Sequence, residues 1–382
     1  MRKIIIVRIP CQLHLLIVLL LSLCTAAPLL AAPAAQPRKS AVSQITAAYE
    51  NTTITEDVSW SGTVVIKGAL VVAPQATLRI EPGAEIRFSA AKGSRQLPRL
   101  VVMGRIMAVG SLDRPILFSA VSVRPAKRGD WGGILLLSSE KRNQLEHCRI
   151  EGADTALEGR FSSFSAKSLF ISASTTGIAV FDSTATLKAS SVSGCETGVD
   201  AHDSEIELRD TSVAQNRRGL TLYRTSTVMS SVTVTGNSLL GMLAEECRIK
   251  MTSCEISANK VGAQIKGGEG QLFMSRFTRN NETALHLTLA RLKVSRCQFS
   301  DNLRDGLRLE DSRSSVWGNS FSGNGNYNLV NAGTETISAV QNWWGAADEP
   351  AITAKLLDAT RDGRYGRVQI FPWLQEKPTI LP

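Results

Sequence analysis

Five side chains suited to proton transfer occur at two places 21 residues apart: Asp200, His202, Asp203, Tyr223 and Arg224. Histidine and tyrosine can take up or release a proton, and arginine can hold a carboxylate while charge develops beside it. Brought together, these side chains would suit proton abstraction next to the carboxylate of a uronic sugar. Asp203 and Arg224 carry opposite charges, so they could instead form ion pairs in a solvent-exposed ladder along the edge of the fold. That simpler interpretation is favoured.

An internal repeat indicates how these residues are positioned. From about residue 165 the chain restarts every 21 or 22 residues, and repeats of this kind are typical of solenoids. One column of the repeat is glycine, with alanine at a single position: Gly177, Gly198, Gly219, Gly241, Gly262, Ala284 and Gly306. Six or seven residues earlier lies an apolar column: Ile171, Val192, Val213, Val234, Ile256, Phe277 and Phe299, extended by Ile150 and Phe321.

A third column predicts the turns of the repeat. Three residues beyond the apolar column the chain holds Cys195 and then an unbroken series: Asn216, Asn237, Asn259, Asn280, Asn302 and Asn324. Asparagine tolerates left-handed backbone, and its amide can donate and accept hydrogen bonds along a stack. We therefore expect a ladder of asparagines that pairs turn backbone otherwise buried without partners.

The residues after each glycine predict strands. Apolar and polar residues alternate there, as in Leu220-Thr221-Leu222 and Leu307-Arg308-Leu309, so one face of each strand is buried. A second strand precedes the apolar column, and no segment of useful length after the N-terminus has helical periodicity. The fold class is therefore an all-β parallel β-helix (solenoid) with coils of about 21–22 residues and terminal caps. A spacing of about 4.8 Å between coils places Arg224 beside Asp203, near His202 and Tyr223.

The chain divides into four predicted parts. Residues 1–35 are predicted to be a signal peptide, because basic residues precede an apolar run and a small-residue cleavage region. Residues 36–130 are the N-terminal cap and irregular first coils, 131–345 the regular β-helix repeats, and 346–382 the C-terminal cap. We expect an exported protein that is periplasmic, associated with an outer membrane, or extracellular. Its membrane contact would be limited to the signal peptide or a lipid anchor at Cys24.

Composition excludes several partners. Without residues 1–35 the formal charge falls from +9 to +6, since three basic residues and no acidic ones are removed. The basic residues are dispersed, so no nucleic-acid partner is predicted.

Five cysteines remain, an odd number that argues against a fully paired disulfide framework. No group of His and Cys has zinc spacing, so neither a metal nor another cofactor is predicted.

The glycine and asparagine columns resemble those of right-handed parallel β-helix proteins of the pectin-lyase-like superfamily, over most of residues 55–375. The opening segments "ATLRIEPGAEIRF" and "LVVMGRIMAVGS" and the ending "NWWG…GRVQIFPWL" are similar to the first and last coils of exported bacterial members. The resemblance implies the right-handed fold. It does not imply one activity, because the superfamily contains lyases, hydrolases, epimerases, adhesins and copper-site maturation proteins.

Asp200-Ala201-His202-Asp203 resembles the Asp-Pro-His-Asp motif of mannuronan C5-epimerases, with Ala201 in place of proline. That resemblance implies that His202 is the base and that Asp200 positions the sugar or the imidazole. Arg248-Ile249-Lys250 resembles a polygalacturonase motif whose other parts are absent. The leading hypothesis is an exported, non-catalytic scaffold that binds polysaccharide or envelope glycan along an exposed sheet. The alternatives are a uronan-modifying epimerase or lyase centred on His202, and a structural or adhesive solenoid that binds proteins.

Overall fold

The computed structural model describes residues 45–93, 95–122 and 125–379. The predicted signal peptide and Cys24 lie outside these ranges. The described chain is a right-handed parallel β-helix of about 13 coils with about 22 residues each, which confirms the predicted fold class. No helix within the described ranges is both long enough and apolar enough to cross a membrane.

Each regular coil contributes three strands, and these strands pair in parallel with their counterparts in the neighbouring coils. At the N-terminus β1 (Ile45–Ile54) pairs with β3 (Thr63–Val72), whose first half begins an anchor ladder and whose second half begins a glycine ladder. The anchor ladder, named for its apolar column, continues through β5 (Glu85–Ser89), β8 (Ile116–Ala120), β11 (Cys148–Glu151), β14 (Phe170–Ser172), β17 (Ser191–Ser193), β20 (Ser212–Ala214), β23 (Thr233–Thr235), β26 (Glu255–Ser257), β29 (Arg276–Thr278), β32 (Gln298–Ser300) and β35 (Ser320–Ser322).

The glycine ladder contains the longer strands around the glycine column. It comprises β6 (Arg99–Val102), β9 (Gly133–Leu137), β12 (Thr155–Arg160), β15 (Thr176–Phe181), β18 (Thr197–His202), β21 (Arg218–Tyr223), β24 (Leu240–Glu245), β27 (Val261–Lys266), β30 (Leu285–Thr288), β33 (Leu307–Glu310), β36 (Leu329–Asn331) and β38 (Leu356–Leu357). The glycines are required by close backbone approach, since a Cβ on Gly198 would lie 2.6 Å from the carbonyl oxygen of Gly219.

The third, or back, ladder closes each coil. It comprises β2 (Val58–Trp60), β4 (Thr77–Ile80), β7 (Arg105–Val109), β10 (Asn143–Glu146), β13 (Ser163–Lys167), β16 (Thr184–Lys188), β19 (Glu205–Arg209), β22 (Ser226–Ser230), β25 (Arg248–Thr252), β28 (Glu269–Phe273), β31 (Arg291–Ser295) and β34 (Ser315–Trp317). The regular repeats are predicted to start at residue 131. The glycine ladder and the back ladder continue across this position, because β6 pairs with β9 and β7 pairs with β10.

Like side chains stack inside the coils. Phe277, Phe299 and Phe321 of the apolar column stack nearly parallel at centroid distances of 5.1 and 4.9 Å, and Trp344 continues the stack at 4.8 Å. Such offset-stacked aromatic pairs each contribute about 0.5–1.5 kcal/mol beyond the burial of their area. The apolar column therefore forms the core that its spacing predicts.

The asparagine column forms the predicted ladder. The side-chain amide of Asn237 donates to Oδ1 of Asn259 at 2.9 Å, and Asn259 donates to Asn280 at 3.2 Å. The backbone N–H of Asn237 also donates to Oδ1 of Asn259, at 3.0 Å. Each amide additionally donates to a carbonyl of the apolar column, as Asn259 does to Val234 at 3.0 Å. Buried turn backbone is thus paired along the axis, which avoids a cost of about 1–3 kcal/mol for each unsatisfied group.

The C-terminal segment contains the one α-helix of the described residues, α1 (Glu349–Ala354). Asp348 caps it by accepting a hydrogen bond from the backbone N–H of Ala351 at 2.9 Å, and Pro350 lies in its first turn. The expectation that no helix follows the N-terminus misses α1, because six residues are too few to show a period of 3.6. A pair of two-residue strands, β37 (Ile337–Ser338) and β39 (Val368–Gln369), accompanies this segment.

Candidate functional site

The outward side chains of the glycine ladder between β12 and β33 form what we call the front face. They fall into two columns, because alternate residues of each strand point outward and strands pair in register. The middle column is Glu158, Ala179, Asp200, Thr221, Leu243, Gln264, His286 and Arg308. The end column is Arg160, Phe181, His202, Tyr223, Glu245, Lys266, Thr288 and Glu310.

His202 lies at the centre of an aromatic row in the end column. Its Nε2 lies 3.2 Å from Oδ1 of Asp200, the middle-column residue of the same strand. Its ring stacks against Phe181 at a centroid distance of 5.2 Å and lies 5.8 Å from the ring of Tyr223. The Arg160 guanidinium covers the far side of Phe181, 4.8 Å from the ring centroid. We call Arg160, Phe181, His202 and Tyr223 the aromatic row.

Asp203 and Arg224 occupy the turn that follows the end column. Both have left-handed backbone, with φ of 51° and 48°. Nε and Nη2 of Arg224 donate to the two carboxylate oxygens of Asp203 at 2.6 Å each. These hydrogen bonds hold the pKa of the Asp203 carboxyl below its ordinary value. The guanidinium also lies 4.1 Å from the Tyr223 ring centroid, so one of its hydrogen-bonding edges and one of its faces are occupied.

The structure thus places Asp200, His202, Asp203, Tyr223 and Arg224 in one cluster across two adjacent coils. His202 and Asp200 retain 38% and 30% of their side-chain exposure, so solvent or a ligand can reach them. Two residues connect each end-column strand to the back ladder here, since β18 ends at His202 and β19 begins at Glu205. The turn beside the cluster therefore has no long loop to enclose a substrate.

One rim of the front face comes from a distant part of the chain. Arg128, in the segment between β8 and β9, donates from Nη2 to the carbonyl oxygen of Gly194 at 2.8 Å. Glu196, just before β18, pairs with Arg217 at 2.7 Å and lies 3.7 Å from Arg128. Sequence reasoning missed this rim because the segment precedes the regular repeats and lacks their period.

Two further residues of the front face were missed. Phe181 has the register of His202, four residues after the column glycine, and that spacing could have identified it. Thr221 lies beside Asp200 in the middle column, and its buried hydroxyl has no hydrogen-bond partner in the protein.

A second polar cluster lies nearer the C-terminus, and sequence reasoning did not single it out. It lines a cavity of about 430 Å³, which we call the Asp305 recess. Its lining includes Gln264, His286, Arg304, Asp305, Arg308 and Tyr327. His286 lies in the same column as Asp200, four coils further along, so both clusters share the front face.

No group of three or more His, Cys, Asp or Glu side chains arranged to hold a metal occurs in the described ranges. The cysteines described there, Cys148, Cys195, Cys247, Cys254 and Cys297, are all buried and free. Burial raises the pKa of the Cys297 thiol to about 12, which suppresses the reactive thiolate. These cysteines fill space between coils.

Comparison with known proteins identifies the fold family. The family model described as "Right handed beta helix region" matches residues 158–292 and 204–343. A second family model, described as "Pectate-lyase like beta helix domain", matches residues 52–166. These matches together span most of the regular coils. No curated protein is similar enough in sequence to count as a match.

Several solved structures are similar to this chain at low identity. A mutant of the periplasmic alginate epimerase AlgG is 10% identical, with a TM-score of 0.46 over 82% of this chain and 77% of that one. The A-module of the Azotobacter vinelandii mannuronan C-5 epimerase AlgE6 is 12% identical, with a TM-score of 0.38 over 79% and 91%. The Dettilon tailspike protein is 9% identical, with a TM-score of 0.34 over 85% and 62%. At these TM-scores the likeness carries no argument about fold or activity.

Proposed function

We propose that this protein, which belongs to the right-handed β-helix family, binds a linear polysaccharide along its front face. The observation that carries the proposal is the aromatic row, in which a cation and three rings repeat once per coil across four coils. The spacing of about 4.8 Å between coils is comparable with the length of one sugar unit in an extended chain. Successive sugar units of an extended chain can therefore contact successive side chains of the aromatic row.

The polar atoms beside the row complement sugar hydroxyls. The half-buried Asp200 carboxylate can accept hydrogen bonds from sugar hydroxyls, and Thr221 is its neighbour in the next coil. Both lie in the middle column, directly beside the end-column rings. Apolar ring surface next to a few oriented polar groups is the usual composition of a ligand site.

The geometry favours binding without turnover. Arg224 would have to stabilise a developing negative charge, yet its guanidinium is held by both oxygens of Asp203 and covers Tyr223. The cluster is open to solvent on the side of the short turn, whereas general-base chemistry benefits from a site that excludes water. We therefore place the protein with glycan-binding scaffolds.

A uronan-modifying epimerase or lyase is the second candidate. The 3.2 Å contact between His202 and Asp200 favours it, because a carboxylate that orients an imidazole supports a general base. In that reaction His202 would take the C5 proton of a uronate. Tyr223, in the next coil, would return a proton to the opposite face or to the leaving oxygen.

Proton NMR of alginate and of polygalacturonate incubated with the protein tests both candidates. The proposal predicts broadened polymer lines and no new signals. New signals from inverted C5 centres or unsaturated chain ends, lost in His202→Ala, would replace it with the enzyme. Unchanged spectra from both polymers, and from a panel of neutral glycans, would contradict polysaccharide binding.

We also propose that the protein is exported, on the basis of the basic and apolar segments within residues 1–35. Export would place the front face where envelope or extracellular glycans occur. N-terminal sequencing of the protein made in its own host should start near residue 36. A retained Met1 in the cell interior would contradict the proposal.

A further inference from the structure

Asp305 is a buried acid with an unused oxygen. Its residue is only 7% exposed, and its Oδ1 has no hydrogen-bond partner in the protein. Asp305 is one of the residues that line the recess. Buried carboxylate oxygens nearly always have a partner, and an unpaired one in a cavity wall indicates a position where a ligand or water donates.

The recess around Asp305 is built from fixed side chains. Nε2 of His286 lies 3.1 Å from Oε2 of Glu310 and 3.3 Å from Oγ1 of Thr288, which holds the imidazole in the floor. Arg308 follows His286 in the middle column. Tyr327 forms a wall and is braced by Arg361, whose guanidinium lies 5.7 Å from the ring centroid.

The charges in the recess indicate an uncharged ligand. The lining contains two arginines, Arg304 and Arg308, and two acids, Glu282 and Asp305, so their formal charges cancel. His286 is paired with Glu310. A bound anion would lie against the unpaired oxygen of Asp305, and a bound cation would lie beside two arginines. A hydroxyl group satisfies both surroundings, because it donates to Asp305 and accepts from an arginine. The ring of Tyr327 supplies apolar surface for a sugar ring.

We propose that the Asp305 recess is a subsite for an uncharged sugar unit, whose hydroxyl donates to Oδ1 of Asp305 while Arg308 donates to a neighbouring oxygen. This inference rests on the proposed polysaccharide binding and specifies it. Because His286 lies four coils beyond Asp200, roughly 19 Å at the usual strand spacing, one extended oligosaccharide reaches both clusters. The polymer then contacts the aromatic row and the recess at once.

Calorimetric titration with hexasaccharides of polygalacturonate and of its carboxyl-reduced, uncharged form tests the inference. The wild-type protein should bind the uncharged form at least as tightly as the acidic form, because a carboxylate in the recess would lie against Asp305. Asp305→Ala should weaken binding of the uncharged form by about tenfold, the loss of one hydrogen bond to a charged group. Asp305→Asn retains an acceptor oxygen and should lose no more than about threefold. Asp113→Ala, an exposed acid in the early coils, is the matched control and should change neither affinity.

The outcomes separate this inference from the proposed function. Unchanged binding by Asp305→Ala, together with weakened binding by Phe181→Ala, would overturn the subsite and keep the polysaccharide face. Binding of the acidic hexasaccharide alone, or a loss in Asp305→Ala limited to it, would overturn the assignment to an uncharged sugar. Failure of the wild-type protein to bind any glycan would contradict both the subsite and the proposed polysaccharide binding. Melting temperatures within a few degrees of wild type, with Asp305→Asn as the second variant, exclude misfolding as the cause.

Discussion

The carboxylate of Asp203 accepts two hydrogen bonds, each of 2.6 Å, from the guanidinium of Arg224 one coil away. This pairing joins consecutive turns at the edge of the front face. It also occupies one hydrogen-bonding edge of the arginine that proton abstraction at His202 would need for charge stabilisation. One ion pair thus contributes to the solenoid edge and argues for binding rather than catalysis.

The ion pair predicts a pH dependence. The pKa of Asp203 is lowered from 3.8 in the folded protein, so the pair stabilises the fold above that value and the contribution is lost as pH falls through the lower folded pKa. Arg224→Gln should melt slightly below wild type at pH 7. The two proteins should melt together once the pH is well below 3.8. Thermal melts across this range check the prediction, and a difference that grows in acid would contradict it.

The asparagine ladder should be the most sensitive polar feature of the core. Asn259→Ala leaves the backbone N–H and the side-chain amide of Asn237 without their acceptor. We expect a loss of about 3 kcal/mol in the free energy of unfolding, since buried unsatisfied donors cost about 1–3 kcal/mol each. Urea unfolding measures it. The exposed neighbour Lys260→Ala is the control and should change the stability by less than about 0.5 kcal/mol.

Gly198 should not tolerate a methyl group. The added Cβ would lie 2.6 Å from the Gly219 carbonyl oxygen and 2.7 Å from Cγ1 of Val213. Overpacking of this kind costs about 1–3 kcal/mol, so Gly198→Ala should lower the stability measurably. Gly363→Ala, where no atom lies within 4 Å of the added Cβ, should be neutral. Equal stabilities of the two variants would show that the coils can separate at Gly198.

The buried cysteines should resist alkylation. Cys297 is fully buried, and its pKa is raised to about 12, so little thiolate exists at pH 8. Iodoacetamide should label Cys297 and Cys148 only after urea is added, as peptide mass spectrometry can show. Rapid labelling of either residue in the native protein would contradict the packing described here.

The repeat could be predicted from sequence because each coil imposes the same requirement at the same position. Gly198 is needed for close backbone approach and Asn259 for turn pairing, and neighbouring coils repeat both residues. Register alone also placed Arg224 beside Asp203, since residues at equal positions in the coil become neighbours across about 4.8 Å. These are local rules that a period of 21 or 22 residues makes visible.

The ligand-binding features depart from that period, which is why sequence reasoning missed them. Asp305 occupies a position that holds Thr283 in the preceding coil, so no column marks it. The recess around it is completed by Tyr327 and Leu357, which lie beyond the glycine column that ends at Gly306. The rim at Arg128 depends on a segment that packs across coils 66 residues away in sequence. Long-range packing of irregular segments leaves no periodic signal.

The affinity of Phe181→Ala for alginate and polygalacturonate, compared with that of Phe273→Ala, tests the central claim most directly. Each phenylalanine lies beneath an arginine, at 4.8 Å for Arg160 and 5.8 Å for Arg296, but only Phe181 is on the front face. We predict that Phe181→Ala weakens binding of at least one polymer about fivefold to tenfold, as expected for the loss of one stacked ring, and that Phe273→Ala stays within about twofold of wild type. Equal affinities of the two variants, or a larger loss in Phe273→Ala, would contradict the front face as the polysaccharide-binding surface.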